Sequence, residues 1–231
     1  MFQLKKIAWL TAFCIAMGYL ETAVVVYLRI IYYPDGFDFP LEPIERAIGT
    51  IEVWREVATL IMLLGTGYIV GKTFIQRFAF FIYSFAIWDI FYYIFLKILL
   101  DWPVSLFTWD VLFLLPVTWV GPVIAPIIVS LTMILLAAVL LKMDGNNNNF
   151  NLKKFDWFLL ILGALIIITS FIWDYTSFIL RYHHWTELWS LGNNDLFTIS
   201  KSYVPTNFIW SVFIFGEALL LVTTFKIFKK Y

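Results

Sequence analysis

Residues 123–141 read VIAPIIVSLTMILLAAVLL, nineteen positions without a charged side chain. A helix needs about 20 largely apolar residues to cross the roughly 30 Å hydrocarbon core of a bilayer. Backbone groups in hydrocarbon must pair with each other, so a run of this kind reads as a helix. The strands of a membrane barrel would alternate polar and apolar residues, and this run does not. Immediately upstream the pattern changes. The stretch LPVTWVGPVIAP, residues 115–126, carries Pro116, Pro122 and Pro126 together with Gly121. Each internal proline removes a helix hydrogen bond and crowds the preceding turn. A regular helix is therefore expected from about Val123 to Leu141. The segment before it is expected to be Pro-kinked or broken, and a broken helix would line a cavity.

Working outward, five more runs are long and apolar enough to span. The six expected spans are approximately 7–31, 49–71, 78–100, 111–141, 157–180 and 207–226, within a single transmembrane domain covering 1–231. The fold class is all-α, a bundle of about six transmembrane helices. Composition excludes a water-soluble domain: 62% of the 231 residues are hydrophobic, 14% are charged and mean hydropathy is +0.86. Soluble domains have about 45–50% apolar and about 25% charged residues. Aromatics reach 20%, as expected of a protein with rings at both bilayer interfaces. The N-terminus has the lysines of a signal peptide, but its apolar character persists to about Tyr33, beyond the roughly 7–15 residues of a cleaved signal. An uncleaved first helix is expected. Cys14, the one cysteine, lies in this run and reads as a small apolar packing residue.

Cytoplasmic connections of membrane proteins are enriched in Lys and Arg. Lys5, Lys6, Lys72, Arg77, Lys142, Lys153, Lys154, Lys226, Lys229 and Lys230 fall on one side of the six spans, against six basic residues on the other. Both termini are expected in the cytoplasm, N-in and C-in, in a bacterial inner (plasma) membrane. The outer connections are then the richer ones. The last, about 181–206, contains His183, His184, Trp185, Glu187 and Trp189 and is expected to include a short interfacial helix. Pairs such as Trp88-Asp89 and Trp173-Asp174 echo each other without falling in register as a repeat.

Ionisable residues within spans are costly and mark functional sites by default. The polar pocket candidates are Glu21, Glu52, Arg55, Glu56, Asp89, Asp174 and Glu217. Counting from the cytoplasmic lysines at roughly 1.5 Å per residue places Glu21 roughly 22 Å up and Asp89 roughly 18 Å up. Most of the set shares the outer half of the bundle. With Arg29 and Lys97 included, six acids face three bases. Unpaired charge is expensive in low dielectric, so protonation, water or a bound cation is expected among them. Glu52, Arg55 and Glu56 lie three and four residues apart, on one helix face. They read either as an ion-pair network locking helices or as a substrate or cation site.

His183 and His184 lie four and three residues before Glu187. If helical, the segment would offer an imidazole–carboxylate pair to a divalent metal such as zinc or iron. Further ligands would come from Glu42, Glu45, Glu52 or Asp110. Bis-histidine haem would need histidines inside the spans, and both lie outside. No glycine-rich phosphate loop, His-Glu-x-x-His or Gly-x-Ser-x-Gly is present. Gly65, Gly67 and Gly71 read as small residues for close helix packing. Without a basic patch interleaved with aromatics, nucleic acid is excluded as a partner. Membrane lipids are expected partners, with other membrane subunits a second class.

Three functions fit these features. The small chain with short loops suits an accessory or structural subunit of a larger membrane complex. The acidic excess suits a transporter or binding protein with an outward-facing pocket for a cation, proton or small ligand. The same acids with Arg55 suit a membrane-embedded enzyme acting on a lipid or isoprenoid.

Overall fold

The computed structural model describes residues 2–42, 44–146, 150–182 and 201–230. Its long helices are α1 (Phe2–Tyr32), α2 (Arg46–Val70), α3 (Phe74–Leu100), α4 (Ile124–Asn146), α5 (Lys154–Ile179) and α6 (Trp210–Lys230). Strands β1 (Trp109–Phe113) and β2 (Trp119–Pro122) lie between α3 and α4. Five helices, all but α2, are long and apolar enough to cross a membrane. The 25 residues of α2 would reach about 37 Å, but Arg46, Glu52, Arg55 and Glu56 dilute its apolar character. The chain is thus a multi-pass helical membrane protein. The interfacial helix expected in the last outer loop falls largely on 183–200, outside the described residues.

The proline stretch departs from expectation. Residues 111–122 form no kinked helix; they complete an antiparallel β-hairpin with Asp110 opposite Gly121 and Val111 opposite Val120. Proline geometry explains the difference. The residue before a proline is pushed out of the α region, and Pro116 falls in the 114–118 connection. Pro122 ends β2, and both strands of a two-stranded sheet are edges, where proline is tolerated. Pro126 is the third residue of α4, where an N–H would have no intrahelical partner anyway. The helix therefore starts cleanly at Ile124 instead of bending. The chain just before the hairpin receives its first donors: Val123 N–H donates to the Thr108 carbonyl at 3.0 Å and Ile124 N–H to Leu106 at 2.8 Å.

Helix α3 is the hub, packing on α1, α2 and α4, while α6 joins α4 to α5. Helix α5 stands against α6 and β2 instead of against α3. The largest buried cluster includes Ala79, Ala137, Leu140, Leu160 and Phe213. Large apolar side chains such as Trp54, Tyr68, Trp173 and Phe215 face outward, as suits a surface solvated by lipid. Glycines set the closest crossings. A Cβ on Gly216 would meet Ile167 Cγ1 at 2.7 Å and the Gly163 carbonyl at 3.0 Å. One on Gly67 would meet the Arg77 carbonyl at 2.6 Å, whereas Gly65 faces open space. At the far end of α3, Lys97 Nζ reaches the Asp101 and Pro103 carbonyls at 3.2 Å each, so it closes the helix. Its hydrogen bond and charge hold the exposed Asp101 carboxyl below its ordinary range.

These crossings predict a contrast between glycines. Gly216→Leu should lower stability by about 1–3 kcal/mol through overpacking, while Gly65→Ala should stay within about 0.5 kcal/mol of the parent. Thermal unfolding of the detergent-solubilised chain measures both.

Candidate functional site

Because α5 stands away from α3, the bundle encloses a cavity of about 970 Å³. One wall is the face of α3 carrying Phe78, Phe81, Phe85 and Asp89; the other is the face of α5 carrying Trp157, Ala164, Ile167 and Phe171. Both sets recur at helical spacing, so each wall is a single helix face. Phe78 to Tyr93 covers about 22 Å of α3, making the cavity a long slot. Met133 and Ser130 of α4 lie along it, and residues of α2 form one rim.

Aromatic rings define its ends. At one end the Phe78 and Trp157 rings meet edge to face at 5.0 Å. At the other the hairpin is wedged between the walls. Phe113 stacks on Phe85 at 6.1 Å, Trp119 lies 5.7 Å from Phe113, and Trp119 stacks on Phe171 at 5.9 Å. A continuous aromatic surface thus runs from α3 through the hairpin to α5.

The charged groups gather at the hairpin end and on the α2 rim. Arg55 Nη2 lies 2.6 Å from Glu52 Oε2, and Nη1 pairs with Glu21 of α1. Thr59 Oγ1 also donates to Glu21 at 3.2 Å. The Arg55 side chain keeps 21% of its surface exposed, so this trio borders the opening. Glu56 points elsewhere: its two carboxylate oxygens accept the Leu114 N–H at 2.9 and 3.0 Å, just beyond β1. Asp89 accepts a hydrogen bond from Ser130 Oγ at 2.8 Å across to α4. Among the described residues, neither Glu56 nor Asp89 is in an ion pair. Asp110 is buried and held twice, by Arg29 Nη2 at 3.1 Å and by the Tyr93 hydroxyl at 3.2 Å. The Arg29 guanidinium also lies over the rings of Trp102 and Phe37, at 3.7 and 4.3 Å.

Of the sequence candidates, Glu21, Glu52, Arg55, Glu56 and Asp89 line this one cavity. Asp174 and Glu217 do not. Asp174 accepts from the Tyr203 hydroxyl at 2.8 Å, Thr206 Oγ1 at 2.9 Å and the Thr206 and Asn207 N–H groups. It fastens the segment leading into α6. Glu217 is buried and accepts from Thr132 Oγ1 at 2.7 Å, joining α6 to α4. Four of the six acids, Glu56, Asp89, Asp174 and Glu217, thus take hydrogen bonds from neutral donors, which satisfy oxygens and leave the charge count as it was. His183, His184 and Glu187 lie outside the described residues. Among the described residues, no three His, Cys, Asp or Glu side chains group to hold a metal. Of the further ligands considered, Glu52 and Asp110 are taken by arginines.

Sequence reasoning gave Asp110 and Ser130 no place in the pocket. Ser130 is a lone hydroxyl in an uncharged run, and Asp110 flanks a span; neither carries a local signal of its partner. Compared with known proteins, the chain matches no family model, no curated protein and no solved structure.

The buried arginine gives a direct test. Arg29→Met strands Asp110 without its cation and should cost about 3–5 kcal/mol. Adding Asp110→Leu should recover most of that loss. If Arg29→Met unfolds at the parental temperature, the pair does not hold the hairpin.

Proposed function

We infer that this protein holds an elongated amphiphilic molecule of the lipid or isoprenoid class inside its membrane bundle. The observation that carries this reading is the slot itself: long, walled by aliphatic and aromatic side chains, with its charges gathered at one end. Ligand sites combine a mainly apolar lining with a few placed polar groups, in cavities of about 300–1,000 Å³. The apolar body of the ligand would lie along α3 and α5. Its polar end would sit at Arg55, Glu52 and Glu56, where a guanidinium can hold an anionic or hydroxyl oxygen. Access would be sideways, from lipid. Trp54 of α2 and Ile161 of α5 line the slot yet are 67% and 55% exposed, so the gap between these helices faces the bilayer.

In this reading α2 is a sixth span whose charges face the slot and its neighbours, and both termini lie in the cytoplasm. The lysine distribution supports that orientation, in which the polar end of the slot would lie in the outer leaflet. The membrane would be a bacterial plasma membrane. The accessory-subunit reading draws on small size and short loops, and the slot lends it no specific support.

Extraction and mass spectrometry of the chain purified in mild detergent should yield one lipid or isoprenoid species per protein, enriched over the bulk membrane. Ala164→Trp, which fills the slot from the α5 wall, should lose that species while keeping the parental unfolding temperature. An extract matching bulk membrane lipid would sink the proposal. Topology is checked separately: reporter fusions at both ends should be active only in their cytoplasmic form.

A further inference from the structure

A second cavity lies between α1 and α2, toward the start of α1 and the end of α2. Helices α1 and α2 both pack on α3. Near the Glu21 level they are bridged by Arg55. Toward the start of α1 the trough between them opens into a cavity of about 590 Å³. Lys5 and Lys6 head it; Trp9, Phe13, Ile69 and Val70 form its sides. None of its lining residues lines the slot.

The chemistry of this trough is divided along its length. Lys6, Trp9, Leu10 and Phe13 recur at intervals of three and four, so they share a face of α1. Lys6 to Phe13 covers about 10 Å, within the roughly 15 Å depth of one leaflet's hydrocarbon. Two ammonium groups therefore stand at one end and aliphatic and aromatic surface follows below them; the described lining residues include no acid. Trp9 and Ile69 are 78% and 84% exposed, which leaves the trough open to a molecule from the bilayer. A phosphate at the lysines with an acyl chain between the helices satisfies both halves. A zwitterionic headgroup brings a cation of its own toward the lysines and complements them less well. A soluble anion would leave the apolar sides uncovered.

We propose that the trough between the start of α1 and the end of α2 binds one anionic phospholipid, its phosphate on Lys5 and Lys6 and an acyl chain along Trp9, Phe13 and Ile69. This site is independent of the slot and of what the slot holds. A juxtamembrane lysine attracts anionic lipid by a factor of about five.

Native mass spectrometry of the full chain in detergent, titrated with phosphatidylglycerol or chain-matched phosphatidylcholine, tests the site. The first phosphatidylglycerol should bind several-fold more tightly than the first phosphatidylcholine. Lys5→Gln should weaken it about fivefold and Lys5→Gln/Lys6→Gln about 25-fold. Phe13→Ser should weaken both lipids alike, because it removes wall and not charge. Lys153→Gln/Lys154→Gln removes two adjacent exposed lysines that line neither cavity, and should leave the first binding step unchanged. Unfolding temperatures near the parent's show that each variant is folded. Equal affinity for the two lipids, or an equal loss from the Lys153/Lys154 variant, would overturn the proposal.

Discussion

The contact between Arg29 and Asp110 joins parts of the chain 81 residues apart. Arg29 sits near the end of α1; Asp110 is the second residue of β1. Tyr93 of α3 adds its hydroxyl to the same carboxylate, while Phe37 and Trp102 cover the guanidinium. Two helices and two connections thus meet at one buried charge pair. Neither charge tolerates this environment alone, because desolvation costs several kcal/mol per ion. The pair need not add net stability over an apolar replacement. What it does is fix where the hairpin begins. From that point Leu114 falls over Glu56 and Trp119 falls against Phe171.

The hairpin in turn holds the slot open. Non-helical backbone is tolerated at membrane depth only where protein or a cavity surrounds it. Here the two strands pair with each other, Glu56 takes the next N–H, and the rings of Phe113 and Trp119 bridge Phe85 of α3 to Phe171 of α5. With these two rings set between Phe85 and Phe171, α5 does not close on α3 at this end. The two helices meet only lower down, where Phe78 reaches Trp157. The space between them persists for lack of a partner helix, and its walls are apolar because both helices were built to face hydrocarbon or each other.

Acid residues of similar type do different work in this bundle. Glu21 and Glu52 share one arginine; Asp174 gathers hydroxyl and backbone donors from the segment before α6; Glu217 and Asp89 each take one hydroxyl from α4. All but Glu52, whose arginine is on its own helix, anchor one element to another. Only Glu21, Glu52, Glu56 and Asp89 among the candidate acids also border the slot, where a ligand could reach them.

Much of the architecture is written locally. The uncharged run 123–141 contains its own reason to be a helix, because hydrocarbon leaves the backbone no other partner. The prolines at 116 and 122 forbid helix before it, and α4 begins at Ile124, one residue from where the pattern changes. Glu52, Arg55 and Glu56 share a face because helical spacing puts them there. The hairpin was not legible, since its fastening depends on Glu56, 58 residues away from Leu114, and on Arg29. Nor could sequence separate Asp89 from Asp174 or Glu217. All three are lone acids in apolar runs, and what distinguishes them is which helix stands opposite. The sequence by itself determined which segments are helical and which of their faces carry charge, because those follow from neighbours three and four residues apart. Tertiary structure alone decided that α5 leaves α3 uncovered and that five of the seven candidates meet in the gap, because side chains on separate helices become neighbours only through packing.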